Sequence, residues 1–308
     1  MADRNGIAPG TEEKPASFKH QPVMLKEILD LLQVGPDRNF VDGTLGLGGH
    51  AEAILERTGP KGCLLGIDRD SEALDLARER LKPFGDRVKI AHGTFDNTPD
   101  YLQDFSFPPV DGMLLDLGVS SLQLDKAQRG FSFSKSSALD MRMDLEEEVS
   151  ARELLDDLPE KDLVAIFRDY GEEKFSKRIA RTIVRNRQKD PIRTTDDLRN
   201  LVSRAVPFSK KSRIHPATRV FQALRIAVNR ELKILESFLK EPPNFIRIEG
   251  VMVVLSYHSL EDRIVKRAFR SFNNFQILTK KPLRPAFEET RSNPRARSAK
   301  LRAIKRIE

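Results

Sequence analysis

The chain has 308 residues, of which 39% are hydrophobic and 32% are charged, and its formal net charge at pH 7 is +7. This length suffices for one large domain or two of ordinary size, and the composition excludes an intrinsically disordered protein. The excess of basic residues indicates a polyanionic partner such as a nucleic acid.

Targeting and redox signals are weak throughout the chain. The first 16 residues contain acidic side chains and no apolar core, so they resemble neither a signal peptide nor a transit peptide. The longest apolar runs, such as residues 251–255, are too short to span a bilayer. The single cysteine, Cys63, excludes internal disulfides and is expected in a buried strand rather than as a nucleophile. We expect a cytoplasmic protein with no membrane partner and no metal site.

An amphipathic helix is predicted over residues 22–32. The strongest functional signal follows it in the chain, at residues 40–50. An apolar run ends in Asp42, glycines follow at 43, 46, 48 and 49, and a helical pattern then begins. A strand, a glycine turn and a helix in this order let a ligand approach the strand end closely. The alternative is a tight connection without a ligand. The glycine spacing also differs from the G-x-G-x-x-G of dinucleotide sites.

A second acidic residue ends the next predicted strand, residues 62–68. Asp68 follows the glycine turn at about the distance expected for a carboxylate that binds both hydroxyls of a ribose. The alternative is that Asp68 or Asp70 caps the helix predicted over residues 72–81. Both roles are compatible if Asp70 caps and Asp68 faces a ligand.

Two further strands are predicted over residues 87–92 and 110–116. The loop after the first contains Phe95, and the second ends in Asp116. Repeated strand–helix units with short connections predict a parallel sheet with right-handed crossovers. Because the carboxyl ends of such strands lie at one edge, residues 42, 68, 95 and 116 are expected to surround one pocket.

The pattern changes between residues 122 and 217, where no convincing strand is found. Capping boxes begin at Ser150 and Thr194, and the amphipathic segments are helical in period. These features predict an all-helical insertion. A long helix is then predicted from a cap at Thr218 to Leu239.

The sheet is predicted to resume at residues 250–257. Ser259-x-x-Asp262 is a capping-box pattern, so Ser259 is expected to cap a helix rather than act as a nucleophile. Residues 275–278 and 301–307 are predicted to close the sheet as an antiparallel pair.

Basic residues concentrate in two parts of the chain, residues 168–213 and 291–306. A solvated helix face is the ordinary explanation of either part alone. The two parts flank the predicted ligand site, and together they favour binding of RNA or DNA.

Eight short motifs in a fixed order resemble those of the bacterial small-subunit rRNA cytosine-N4 methyltransferases, and the resemblance runs from about His20 to the C-terminus. The motifs are Asp42-Gly43-Thr44 with Gly48-Gly49-His50, Asp116-Leu117-Gly118-Val119-Ser120-Ser121, Arg129-Gly130-Phe131-Ser132-Phe133, Leu139-Asp140-Met141-Arg142-Met143, Tyr170-Gly171-Glu172-Glu173, His215-Pro216-Ala217-Thr218-Arg219, His258-Ser259-Leu260-Glu261-Asp262-Arg263 and Asn293-Pro294-Arg295-Ala296-Arg297-Ser298.

The resemblance implies an α/β protein, a class I methyltransferase that uses S-adenosyl-L-methionine. It implies a discontinuous Rossmann-like catalytic domain of residues 18–121 and 218–308, a helical substrate-recognition insertion of residues 122–217, and a flexible N-terminus of residues 1–17. The implied reaction is methylation of the exocyclic N4 of a cytidine in the decoding region of 16S rRNA. The implied partner is that rRNA, within the small ribosomal subunit, and the chain is expected to be a monomer or a homodimer.

The resemblance also implies roles for individual cofactor-binding residues. Gly48, Gly49 and His50, next to Asp42, would line the methionine end of the cofactor, and Asp68 would bind the ribose. Phe95 would flank the adenine, and Asp116 and Gln123 would complete the pocket.

At the position of the proton acceptor for N4, the chain departs from the pattern of other amino-methyltransferases. Amino-methyltransferases resemble one another in placing Asp/Asn/Ser-Pro-Pro-Tyr/Phe after the fourth strand, whereas this chain has Asp116-Leu117-Gly118-Val119. Asp116 is the candidate catalytic residue, and it is expected to contact the nucleobase, the cofactor or both.

Four residues are candidates for substrate contacts, namely Tyr257, His258, Arg295 and Arg297. An aromatic platform for the base would come from Tyr257, Phe131 or Phe133, each of which is equally compatible with the core. The family usually has Phe at the position of Tyr257, so the hydroxyl is not expected to be essential. His258 is expected to bind RNA or to make a structural hydrogen bond.

Two other functions are weighed against this one. A non-catalytic rRNA-binding assembly factor on the same fold is the main alternative. An NAD-linked oxidoreductase shares the fold class, but the glycine spacing and the charge disfavour it.

Overall fold

A seven-stranded sheet forms the centre of the protein, as seen in a computed structural model that describes residues 22–207 and 215–308. The strand order is β3-β2-β1-β4-β5-β7-β6. Strands β1 to β5 pair in parallel, and β7 pairs antiparallel with both β5 and β6. The strands are β1 Phe40–Asp42, β2 Leu64–Asp68, β3 Val88–His92, β4 Val110–Asp116, β5 Ile246–Ser256, β6 Phe275–Ile277 and β7 Lys300–Arg306.

The strand order reverses between β1 and β4, which are hydrogen-bonded neighbours in the middle of the sheet. All three residues of β1 are buried, as expected for a central parallel strand covered on both faces. In open α/β sheets, such a reversal leaves a crevice outside the carboxyl ends of the strands. The predicted fold class and the predicted antiparallel pair at the edge of the sheet are confirmed.

Helices cover both faces of the sheet and fill the stretch between β4 and β5. Within residues 117–245, the described part contains helices and no strand. The helices are α1 Leu25–Leu31, α2 Gly49–Thr58, α3 Ser71–Leu81, α4 Thr98–Asp104, α5 Ser121–Asp125, α6 Ala151–Asp157, α7 Glu160–Asp169, α8 Ser176–Arg187, α9 Thr195–Ala205, α10 Ala217–Val228, α11 Glu231–Phe238, α12 Ser259–Ser271 and α13 Phe287–Ser292. No helix in the described residues is long and apolar enough to cross a membrane.

The helices between β4 and β5 have an apolar cluster of their own. It includes Phe167, Ile183, Leu201 and Leu224, all at most 2% exposed, and it is separate from the clusters on the two faces of the sheet. Capping boxes at Ser150 and Thr194 start α6 and α9, as the sequence predicts. The inserted domain and its boundaries both stay a prediction. Helix α10 contributes to this helical cluster although the sequence analysis assigned it to the catalytic domain. Residues 1–21 and 208–214 lie outside the described residues. The predicted flexible N-terminus and the end of the first basic part of the chain fall on these two segments.

Two helix predictions are wrong in detail. The helix predicted to run from Thr218 to Leu239 is two helices, because Asn229 ends α10 and Arg230 takes a left-handed conformation with φ of 52°. The Asn229 side chain donates to the carbonyl oxygen of Met141 and accepts from the N–H of Met143, which fixes the break. The N-cap of α12 is His258 rather than Ser259, since the His258 imidazole and the Glu261 carboxylate form the capping box.

Smaller differences occur at two element starts. Helix α1 begins at Leu25 rather than at Pro22, after Met24 in a left-handed conformation. Cys63 is half-buried and precedes β2 instead of lying inside it, so it is not the buried strand residue that the sequence predicted.

A buried arginine joins the helical stretch to the loop after β2. Arg129, whose side chain is 6% exposed, donates to Asp70 and Glu72 at 3.0 and 2.8 Å. It also donates to the carbonyl oxygens of Arg142 and Met143. Asp70, 1% exposed, caps α3 as predicted, so its carboxylate links three segments of the chain.

We predict that Arg129→Ala lowers the free energy of unfolding by about 3–5 kcal/mol, because it leaves the Asp70 carboxylate buried without its cation. The matched control is Arg78→Ala, which breaks an exposed pair with Asp75 and should cost less than about 1 kcal/mol. Urea denaturation followed by circular dichroism measures both. Equal destabilisation by the two substitutions would contradict the role of Arg129.

Candidate active site

A cavity of about 390 Å³ opens at the carboxyl ends of the central strands, where the strand order reverses. Its size lies in the range of small-molecule sites. Residues from the glycine turn, from the ends of β2 and β4 and from the loops after β3 and β5 line it. Asp68, Phe95 and Asp116 lie on its wall, as the sequence analysis expected.

The glycine turn between β1 and α2 forms the floor of this cavity. Gly46 and Gly48 have φ of 50° and 75°, a conformation that favours glycine. A side chain at Gly43 would lie within 2.5 Å of Leu115 on the neighbouring strand. Gly48 is the N-cap of α2, and a side chain there would lie 3.4 Å from Leu81. Gly48 does not line the cavity, whereas Gly49 and His50 do.

Asp68 is held by backbone N–H groups at the end of β2. Gly46 donates to one carboxylate oxygen at 2.7 Å and Asp70 donates to the other at 2.9 Å. Burial raises the pKa of Asp68, and these two hydrogen bonds oppose the increase. The arrangement leaves a carboxylate at the cavity wall in a fixed orientation, which suits recognition of paired hydroxyls.

Asp42 lies under the turn and is 1% exposed. Burial raises its pKa to about 7, a hydrogen bond from the Thr44 N–H lowers it, and the charges of Asp116 and Asp68 raise it. Asp42 does not line the cavity, so its carboxylate lies behind the wall and not on it. The three strand-end carboxylates together favour a cationic ligand.

Asp116 lies at the end of β4 and is held by two neighbours. Its backbone N–H donates to the Thr44 hydroxyl at 2.6 Å, and the Tyr257 hydroxyl donates to its Oδ1 at 2.8 Å. His50 Nδ1 lies 3.8 Å from Oδ2. Burial raises the pKa of Asp116, while His50 and the hydrogen bond from Tyr257 lower it. Burial and the Asp116 charge raise the pKa of Tyr257 well above its usual range, so the phenol stays a donor.

Phe95 and Gln123 also line the cavity. The Phe95 ring packs edge-on against Phe238 with 5.4 Å between centroids, which fixes its orientation at the wall. The Gln123 side chain donates to Asp70 at 2.9 Å and accepts from the Ser120 N–H at 3.0 Å. Its hydrogen-bonding groups are therefore engaged by the protein.

The residues predicted for the substrate separate into two groups. Tyr257, His258 and Arg295 line the cavity, and Arg295 Nη2 donates to Asp125 at 2.7 Å, so the segment before β7 is fastened to α5 at the cavity. Arg297 does not line it and donates to the carbonyl oxygen of Thr290. Of the possible aromatic platforms, Tyr257 alone is in the lining, while Phe133 packs on Phe221 with 4.8 Å between centroids.

Four charged lining residues were missed by the sequence analysis, namely Arg69, Arg225, Glu231 and Glu261. Arg225 and Glu231 lie on α10 and α11, where the sequence showed only amphipathic helix. Glu261 was quoted in a motif but was given no role. The sequence signal that could have identified Arg225 and Glu231 is a charged residue next to the apolar positions of an amphipathic helix.

Sequence comparisons show the family to which the chain belongs. The model of the MraW methylase family matches residues 17–307. A protein from Syntrophotalea carbinolica named "Ribosomal RNA small subunit methyltransferase H" is 48% identical, over 94% of this chain and 98% of its own. A protein of the same name from Thermotoga neapolitana is 48% identical over 94% and 96%. The chain belongs to the MraW methylase family.

We predict that Asp42→Asn stabilises the protein in a pH-dependent way. The folded pKa of about 7 lies above the unfolded value near 3.8, so the Asp42 carboxyl destabilises the folded state progressively as pH rises from about 4 to about 7. The difference in the free energy of unfolding between the variant and the wild type should therefore grow as pH rises through this window. Above about pH 7 it should stay constant, on the order of a few kcal/mol. Urea denaturation at pH 5, 6, 7 and 8 tests this, and a constant difference across the series would contradict it.

Proposed function

We propose that the protein transfers a methyl group from S-adenosyl-L-methionine to the exocyclic N4 of a cytidine in the decoding region of 16S rRNA, in the cytoplasm and on the small ribosomal subunit. The observation that carries the proposal is the set of buried carboxylates around one cavity, in a chain of the MraW methylase family. Relatives named as small-subunit rRNA methyltransferases support the class of substrate.

The cofactor half of the cavity is formed by the glycine turn and the ends of β2 and β3. Asp68 and Phe95 both line it. In the proposal, Asp68 accepts from the ribose hydroxyls and Phe95 stacks on the adenine. The negative charges of Asp42 and Asp116 favour the cationic donor. S-adenosyl-L-methionine supplies a methyl group already activated by its sulfonium, so the protein has to align, desolvate and remove a proton.

Asp116 is the proton acceptor in this proposal. The N4 lone pair of cytosine is delocalised into the ring, and an acceptor that holds one N4 hydrogen turns the lone pair toward the methyl carbon. The cofactor would supply the methyl group, with an N4–C bond replacing its S–C bond, and Asp116 would take the N4 proton. Tyr257 fixes the carboxylate by donating to its other side.

An exposed basic stripe next to the cavity supports RNA as the substrate. Helix α12 starts at His258 on the cavity wall, and it exposes Arg263, Lys266, Arg267 and Arg270, spaced as one helix face. The structure gives an ion-pair partner only for Arg263 among these four described residues. A polyanion that reaches the cavity would pass this stripe and neutralise it.

Identification of the methylated nucleoside tests the proposal as a whole. Small subunits lacking the modification are incubated with the protein and isotopically labelled S-adenosyl-L-methionine, and the 16S rRNA is digested for mass spectrometry. We expect labelled N4-methylcytidine at one position of the decoding region. A label on carbon 5 of the base or on a ribose would contradict the chemistry, and binding without labelling would indicate a non-catalytic assembly factor.

We predict that Asp116→Ala lowers kcat by about 10²-fold to 10⁴-fold, as loss of a proton acceptor does. Tyr257→Phe keeps the ring and should change kcat by less than about tenfold. Because the phenol hydrogen bond lowers the pKa of Asp116, its loss should move the rise of the pH–rate profile to higher pH. An unchanged profile in Tyr257→Phe, or full activity in Asp116→Ala, would contradict this assignment.

We predict that removing three charges from α12 weakens binding to the small subunit in a salt-dependent way. The triple variant Lys266→Gln, Arg267→Gln, Arg270→Gln should reduce the slope of log K against log salt concentration by about 2 to 3. The matched control, Arg57→Gln, Lys61→Gln, Lys82→Gln, removes the same charge from exposed residues at the opposite edge of the sheet. Equal slopes for the two variants would show that α12 does not contact the RNA backbone.

A further inference from the structure

Four charged or polar side chains form a second cluster on the cavity wall, distinct from the strand-end carboxylates. Arg225 lies near the end of α10, Glu231 starts α11, and His258 and Glu261 lie at the start of α12. All four line the cavity, and their side chains are only 16%, 12%, 9% and 3% exposed. We call this set, Arg225, Glu231, His258 and Glu261, the wall cluster.

The Arg225 guanidinium is oriented by Glu231. Its Nε and Nη2 donate to the two carboxylate oxygens at 2.8 Å each, a fork that fixes the plane of the group. In the described part of the chain, no hydrogen-bond acceptor for Nη1 is found. Nη1 is also absent from the set of buried side-chain atoms that lack a partner, so it stays accessible from the cavity. A directed donor on the wall is therefore left for a ligand.

The His258 imidazole is fixed in a similar way. Its Nδ1 accepts from the Glu261 N–H at 3.4 Å, so the neutral ring carries its proton on Nε2. Nε2 lies 3.1 Å from the Glu261 carboxylate but is one of the buried side-chain atoms without a hydrogen-bond partner. Because Nε2 is sealed from solvent beside this carboxylate, a ligand in the cavity does not reach it, and the donor that the wall cluster offers is Arg225 Nη1.

A cation is the other occupant that these groups suggest, since atoms of Glu231, His258 and Glu261 lie within 4.8 Å of one another. The hydrogen bonds disfavour it. The Glu231 oxygens accept from Arg225, and one Glu261 oxygen accepts from the N–H groups of Tyr257 and His258. The His258 tautomer also puts a proton where a metal would bind.

The chemistry of cytosine matches the two sides of this cavity. Its Watson–Crick edge presents an N4 donor beside the acceptors N3 and O2, whereas uracil presents an O4 acceptor beside an N3 donor. Asp116 on the β4 side is an acceptor, and Arg225 on the wall cluster is a donor. The pair complements cytosine and would leave two unfavourable contacts with uracil.

We propose that Arg225, held by Glu231, donates to the N3–O2 edge of the target cytosine and so selects cytosine over uracil. The inference rests on the proposed function, because it names how that site reads its base. Arg225 contacts the substrate, whereas Glu231 is a positioning residue that acts through Arg225.

Binding to a synthetic hairpin of the decoding region tests the inference, with S-adenosylhomocysteine present and with cytidine, uridine or 3-deazacytidine at the target position. 3-Deazacytidine keeps N4 and O2 but lacks the N3 acceptor. The wild type should prefer cytidine over either analogue by about tenfold or more, the worth of one hydrogen bond to a charged donor. Arg225→Lys and Glu231→Gln should both reduce this preference toward unity.

The preference is a ratio within one variant, so it does not depend on the fraction of folded protein. Both variants should bind S-adenosyl-L-methionine by calorimetry within about threefold of the wild type, since an effect below 1 kcal/mol is expected for groups outside the cofactor half. The control Arg230→Lys, in an exposed pair with Glu147 next to the cluster, should keep the wild-type preference.

Two results would overturn the inference. One is an unchanged preference for cytidine in Arg225→Lys and Glu231→Gln, with cofactor binding and product formation by the wild type intact. The other is a dependence of hairpin binding on added Zn²⁺ or Mn²⁺ that Glu231→Gln abolishes, which would assign the cluster to a cation. Failure of the wild type to bind cofactor or to form N4-methylcytidine would count against the proposed function instead.

Discussion

The burial of three carboxylates at neighbouring strand ends is the constraint on which the site depends. Asp42, Asp68 and Asp116 end β1, β2 and β4, and burial raises the pKa of each. Like charges in a poorly solvated place destabilise one another, so the protein holds them at a cost in stability. A bound cation of the right shape offsets that cost, which links the stability of the fold to the ligand it accepts.

The surrounding structure keeps these carboxylates in fixed positions. The backbone N–H groups of Gly46 and Asp70 donate to Asp68. Thr44 bonds both Asp42 and the backbone of Asp116, and Tyr257 donates to the Asp116 side chain. Arg129 then fastens the helical stretch beside the same sheet edge through Asp70. The wall cluster faces the carboxylates from helices outside the sheet, so acceptors and donors come from different parts of the chain.

Local patterns were sufficient to predict the sheet side of the site. Strand, glycine turn and helix follow one another within residues 40–50, and the acidic residues at 42, 68 and 116 end apolar runs, so their common edge follows from topology. The strand pair β6 and β7 was also predictable from sequence spacing. The individual roles of the predicted site residues stay predictions, although the positions of Asp68, Phe95 and Asp116 on one cavity agree with them.

Features that depend on tertiary contacts could not be predicted in this way. Arg225 and Glu231 meet only because the chain breaks at Asn229, and that break depends on hydrogen bonds to Met141 and Met143, far away in sequence. His258 displaces Ser259 as the cap because Glu261 is buried beside it, which a capping pattern does not reveal. The surroundings of Gly48 are another such feature, since a side chain there would meet Leu81 of α3, and the predicted role of Gly48 in cofactor binding stays a prediction.

Proton release on cofactor binding tests the central claim most directly. S-adenosyl-L-methionine is titrated into the protein at pH 6.5 by calorimetry, in buffers that differ in ionisation enthalpy. Because Asp42 has a pKa of about 7 in the free protein, a cationic ligand should expel its proton, giving saturable binding with release of a substantial fraction of one proton that Asp42→Asn abolishes. Saturable binding with no proton release, or no binding at all, would contradict the account.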